Sequence, residues 1–215
     1  METASKCPTT RLGNGLETWP NTTFALVYAS FDQTLRLGEG VLVGPNSVVT
    51  LARNLLSSGQ PPSKLEVGVS WDGVSEAEKS AASAWDIPAS SDAEADGEEI
   101  ATILIEKDFS ERYGYLGLTP FDDLSDQALF VYAFRKGEKK SEVVQLHHAS
   151  IHGERLVYDL LPGHDPIVGA AILCRGAADS YTLVGLHLST DRDHHHALFM
   201  TRRRIAKIQE RVNHV

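Results

Sequence analysis

The chain is poor in cysteine: Cys7 and Cys174 are the only two among 215 residues, and they lie far apart. Such a pair argues against a disulfide framework and fits a reducing compartment, so a cytoplasmic protein is expected. Basic charge is also scarce. Twenty Lys and Arg stand against 29 Asp and Glu, a net charge of −9, which disfavours nucleic acid and anionic membrane as general partners. No apolar run approaches the ~18 residues of a spanning helix. The opening METASKCPTTRLGNG lacks the apolar centre of a secretory signal. The hydrophobic share of 42% is ordinary for a globular protein, and the length suffices for a sizeable core.

What is present is a succession of short β-rich runs punctuated by Gly, Pro and Asn. In GEGVLVGPNSVVTLARNLL (Gly38–Leu56), the runs Gly40–Val43 and Ser47–Leu51 flank a turn at Gly44–Asn46. A short helical turn follows at Leu51–Leu55. Thr23–Ala29, Gln33–Val43, Val48–Thr50, Leu65–Ser70 and Ile100–Ile105 read as strands, while Ala77–Ala84 is ambiguous by propensity. Ala89–Glu98 is acidic and apolar-poor, the signature of a surface loop. The second half repeats the rhythm through Leu129–Phe134, Glu142–Ser150, Ile151–Tyr158, Val168–Cys174, Tyr181–Leu188 and Ala197–Met200. After Thr201, an N-cap residue type, Ile205, Ile208 and Val212 switch to helical spacing. Many short strands with one terminal helix indicate an all-β architecture.

Gly38, Gly40, Gly44, Pro45, Val48, Val49, Thr50 and Ala52 fit the pattern G-x-G-(three apolar)-G-P-x-x-V-(apolar)-T-A-A-H. On these residues the chain resembles the trypsin-like (chymotrypsin-fold) serine proteases, in particular their glutamyl-endopeptidase-like branch, over roughly Phe24 to Val212. The resemblance implies two six-stranded antiparallel β-barrels packed face to face, with a C-terminal α-helix closing on the second. It divides the chain into a flexible lead-in (1–18), a first barrel (19–112), a second barrel (113–200) and the helix (201–215). It also favours a strand at Ala77–Ala84.

The family works through His, Asp and Ser in that chain order. Here the histidine position carries Arg53. A guanidinium stays protonated and cannot serve as the base. Arg53 is therefore expected to snorkel or to pair with an acid across the cleft, with an electrostatic role as the alternative. EIATILI resembles the motif that the family's aspartate opens and puts Glu99 at that position; Glu99 either pairs with Arg53 or is merely the acidic end of the loop. YGYLGL (Tyr113–Leu118) resembles the segment that commonly follows in this branch.

Two registers are open for the nucleophile. Anchoring on Pro162-Gly163 puts Asp165 at the serine; anchoring on Gly169 and the strand Ile172–Arg175 puts Val168 there, and the better-matching strand favours Val168. Neither side chain offers a hydroxyl or thiol for an acyl-enzyme, and Pro166 lacks an N–H for an oxyanion hole. Val184–His187 resembles the V-G-I-H strand whose histidine lines a pocket for an acidic side chain. His187 is thus a candidate binding residue, with Ser189 and Thr190 after it, or else a histidine satisfied in the barrel wall. His164 and Asp165, on the loop before Val168, complete the candidate binding set.

Three other features have plainer readings. Cys174 falls inside a predicted strand and is expected as a small core residue. His147 and His148 are expected on opposite faces of a strand. DRDHHH (Asp191–His196) is expected as a solvated turn rather than a metal site.

These readings converge on a catalytically inactive relative of the serine endopeptidases. It would hold a peptide or protein ligand in the inter-barrel cleft by β-addition, as a regulatory module and the N-terminal domain of a larger protein. No cofactor or metal is expected. The competing readings are an active endopeptidase with a non-standard catalytic set and a purely structural domain.

Overall fold

The computed structural model describes residues 23–32, 34–69, 78–88, 100–121, 124, 127–135, 141–176 and 180–213. Glu99, the acidic loop and the N-terminal lead-in lie outside the described residues. The chain adopts the expected all-β fold with a C-terminal helix. Six antiparallel strands close the first barrel: β1 (Phe24–Phe31), β2 (Thr34–Gly44), β3 (Ser47–Leu51), β4 (Lys64–Val69), β5 (Glu78–Asp86) and β6 (Ile100–Ile105), in the order β1-β2-β3-β6-β5-β4. From Glu78 onward the ambiguous Ala77–Ala84 run is strand, because β4 and β6 clamp β5 from both sides and override its helical propensity.

Period-two alternation sorts each strand between two cores. Ala25, Val27 and Ala29 of β1 fill the first barrel with Leu42, Val48 and Ile103. Phe24, Val41, Val49 and Leu51 point the other way, into a separate apolar cluster shared with the second unit. There Phe24 stacks on Tyr132 with centroids 3.9 Å apart. A single 3₁₀ turn at Ala52–Asn54 leads off β3, where the sequence pattern indicates a helical turn.

After a one-turn helix α1 (Ser110–Tyr113), the second unit is built from β7 (Gly117–Leu118), β8 (Leu129–Arg135), β9 (Ser141–Gln145), β10 (Ala149–His152), β11 (Arg155–Asp159), β12 (His164–Asp165), β13 (Ala171–Arg175), β14 (Tyr181–Thr190) and β15 (His194–Phe199). These nine strands form one curled sheet, a half-barrel rather than a closed six-stranded ring. The reason is local. The expected strand Glu142–Ser150 breaks at Leu146–His148, so β9 stays on β8 while β10 turns away to pair with β11. His147 and His148 therefore do not alternate across a strand; both are exposed in the break. The DRDHHH segment also differs from expectation, since its histidines begin β15 and pair with β11 and β14. Cys174 is fully buried in β13, inside the second core.

The final helix α2 (Arg202–Asn213) is capped by Thr201, whose hydroxyl accepts the Arg204 N–H at 3.3 Å. Its start is fastened to the second unit. Arg204 donates to the carbonyls of Glu154 and Phe199 and to the Glu154 carboxylate at 2.6 Å. Its end is fastened to the first barrel, through Arg211 to the Ile100 carbonyl and to Asp86. Between them Ile205 and Ile208 pack into the shared cluster. Among the described residues no helix is long and apolar enough to cross a membrane.

Arg204→Ala removes three charge-assisted bonds at a buried site and is expected to cost about 2–3 kcal/mol in urea unfolding. Glu154→Ala should cost under about 1 kcal/mol, because Glu154 is half exposed and both carbonyl bonds survive.

Candidate functional site

The 3₁₀ turn after β3 sets Arg53 at the boundary between barrels. Its Nη1 donates to the Leu188 carbonyl of β14 at 2.7 Å, while its own carbonyl accepts from Arg36 Nη1 at 2.7 Å. The expected acidic partner Glu99 lies outside the described residues; among those described, the guanidinium donates to a main-chain oxygen.

Beside it, Asn54 ties the two units together. Its amide nitrogen lies 2.9 Å from Thr50 Oγ1, 3.2 Å from the Glu39 carbonyl and 3.0 Å from the Val168 carbonyl. The Val168 carbonyl also accepts the Glu39 N–H at 3.1 Å. Val168 thus has its main chain anchored on β2 and its side chain packed, half-buried, against the shared apolar cluster.

The segment Ile167–Ala170 is a tight turn, closed by Ala170 N–H to Ile167 O at 2.8 Å with Gly169 at φ +95°. A positive φ only at the third position makes it type II, which calls for glycine there. Space demands it as well, since a Cβ on Gly169 would lie 2.0 Å from the Glu39 carbonyl. His164 and Asp165 fall in β12, paired with Arg135 and Phe134 at the end of β8. His164 Nδ1 lies 3.1 Å from the Pro162 carbonyl.

His187 is buried at 2% exposure, its Nδ1 2.9 Å from the Tyr158 hydroxyl. Tyr158 in turn stacks on His195 with centroids 5.0 Å apart. The His195 ring is oriented by two bonds: Nε2 accepts the Leu161 N–H at 3.2 Å, so in the neutral ring Nδ1 carries the proton and donates to Thr190 Oγ1 at 2.7 Å. Burial, then the charges of His195, His196 and Arg53, push the His187 pKa down to about 3. Burial raises the Tyr158 phenol, keeping its proton available to His187 Nδ1. That leaves the ring proton of His187 on Nε2. Ser189 is half-buried and Thr190 exposed at the end of β14, beyond the reach of β13.

Asp191 sits just past this edge. It accepts from His196 Nε2 at 2.7 Å and from the Asp193 and His194 N–H groups at 2.8 Å, which hold its carboxyl below the usual range.

Sequence reasoning missed Glu39. Both its carboxylate oxygens are buried without a hydrogen-bond partner, at 2% residue exposure between the barrels, and burial lifts its pKa well above the usual range. The signal was available: Glu39 shares a strand face with Val41 and Val43, so the alternation that buries the valines buries the acid. Asn54, Tyr158 and His195 were also missed. Their partners come from other strands, and no local pattern marks them.

No protein-family model matches the sequence, and neither does any curated protein. Solved structures do. A Glu endopeptidase in complex with MPD aligns at TM-score 0.65 and 14% identity, over 97% of this chain and 95% of that one. The protease Anisep from Arthrobacter nicotinovorans aligns at TM-score 0.62 and 10% identity, covering 85% and 91%. A structure described as GrC aligns at TM-score 0.70 and 11% identity, covering 91% and 96%. At such identities the likeness is one of fold, and the fold is that of the trypsin-like serine endopeptidases.

Buried His187 and buried Glu39 set opposite pH slopes. Between pH 3 and 6.5 the unfolded chain binds a proton that folded His187 refuses, so its stabilising contribution is full above pH 6.5 and is lost as pH falls toward 3. The expected slope is up to ~1.4 kcal/mol per pH unit, flattened in a Tyr158→Phe/His187→Phe double variant that removes both partners together. Glu39 acts oppositely: its pKa is raised on folding, so its contribution is full below about 4.5 and is lost as pH rises toward the folded value. Glu39→Met should therefore raise stability more at pH 8 than at pH 5, read by denaturant midpoints at both.

Proposed function

We propose that the chain is a catalytically inactive homologue of the trypsin-like serine endopeptidases. On this reading it holds an extended peptide or protein segment between the barrels without cleaving it. At the base position, Arg53 cannot accept a proton and is fastened to Leu188. At the nucleophile position, Val168 has no reactive group, and the turn holding it is clamped through Asn54 and Glu39.

The observation that carries binding is the free edge of β2. β3 pairs with β2 only from Gly40 onward, which leaves Thr34–Gly38 paired on the β1 side alone among the described residues. Glu39 sends its N–H and carbonyl away from β1, toward Val168 and Asn54. By the two-residue period, Leu37 and Leu35 present theirs in the same direction. Their side chains are 56% and 61% exposed, an unusual cost for leucine unless a ligand covers them. An added strand along this edge gains main-chain hydrogen bonds, while Leu35, Leu37 and the Arg36 and Arg53 guanidinium groups select its side chains. His187, Ser189, Thr190, His164 and Asp165 are the proposed binding residues on the opposite unit.

Incubation with a diverse peptide mixture and a fluorophosphonate probe should give neither cleavage nor labelling by mass spectrometry. Cleavage abolished by replacing one residue would overturn the reading. Arg53→His with Val168→Ser is expected to remain inactive, because Pro166 still offers no oxyanion N–H. Peptides selected from a display library should lose about tenfold in affinity on Leu37→Pro. That change deletes one edge N–H, worth ~1 kcal/mol, and no bond to β1.

A further inference from the structure

The seam where the second unit fails to close holds a group of residues that the inter-barrel cleft does not use. Between the Leu146–His148 break and the start of β8 lies a cleft of about 560 Å³. Its floor is apolar, formed by buried Leu124, Leu129 and Leu146. Its rim is imidazole: His147, His148, His152 and His194 all line it, with Asp159 as the single carboxylate among the described residues. The other side of the same break faces a second cleft of about 340 Å³, where Leu160 lies 42% exposed beside Leu161 and Pro162. Leu146, His147 and His148 belong to both walls.

We propose that the larger of these clefts, which shares no lining residue with the proposed inter-barrel binding set, is a second ligand site for a small carboxylate with an apolar body, such as a medium-chain alkanoate. Three observations decide the class. The volume falls in the range that encloses small molecules. Leu124, Leu129 and Leu146 offer a bed for hydrocarbon. The rim imidazoles supply N–H donors for a carboxylate head, whereas among the described lining residues an ammonium head would find one carboxylate, Asp159. A metal ion is a poorer occupant: among the described residues no three His, Cys, Asp or Glu side chains are grouped to hold one.

The test is calorimetric titration of the full chain with octanoate and, separately, octyltrimethylammonium, which share a hydrocarbon body and differ in head charge. Octanoate is expected to bind at least about tenfold tighter, a difference of ~1.4 kcal/mol. His147→Ala/His148→Ala, both exposed positions, should lose about tenfold for octanoate with unchanged thermal stability, while Arg53→Ala leaves octanoate affinity unchanged. Equal binding of the cation, no octanoate binding at millimolar concentration, or sensitivity to Arg53→Ala in place of the histidine pair would each overturn the proposal. None of these outcomes bears on peptide binding between the barrels.

Discussion

The amide of Asn54 is the point on which the two halves of the molecule depend. It gathers a hydroxyl from β3, a carbonyl from β2 and a carbonyl from the turn before β13 onto one side chain. Each is a main-chain or buried group that would otherwise need water, and water has little room there: Gly38 meets the Asn54 side chain so closely that a Cβ would lie 2.3 Å from Cγ. Gly38, Gly169 and Asn54 thus form one unit. A side chain at either glycine would displace the amide, and with it the anchoring of Val168 on Glu39.

That unit bears on chemistry as well as stability. A hydrolytic nucleophile needs a base poised beside it and donors aimed at a developing oxyanion. Around Arg53 and Val168 this chain has hydrogen bonds that hold the backbone still, a guanidinium fastened to a main-chain oxygen and an apolar side chain packed on the shared cluster. On the proposed reading, that rigidity lowers the entropy lost on binding.

Much of the fold was legible because burial is periodic. The alternation in GEGVLVG and the continuous apolar run IATILI marked β2 and β6, and Thr201 with the Ile205 and Ile208 spacing marked α2. The break in β9–β10 was not legible, since Leu146–His148 continues the alternation and only pairing with β11 pulls the chain away. The histidines of β15 were hidden for the same reason: three in a row look solvated until their neighbours on β11 and β14 are known. At the candidate site, the sequence pattern pointed to Arg53 and Val168 by their place in the motifs alone. The partners that give each a physical meaning, Leu188 and Glu39, lie 135 and 129 residues away in sequence and belong to no motif.

The helix α2 has one further consequence, in the order of synthesis. All fifteen strands precede it in the chain, so both sheets can form their ladders before α2 has emerged. Until then the two units are joined by their shared apolar faces and by the bonds of Asn54, Arg53 and Glu39, without those that Arg204 makes to one and Arg211 to the other. The helix is thus a late fastening laid over two halves that already have their own means of meeting.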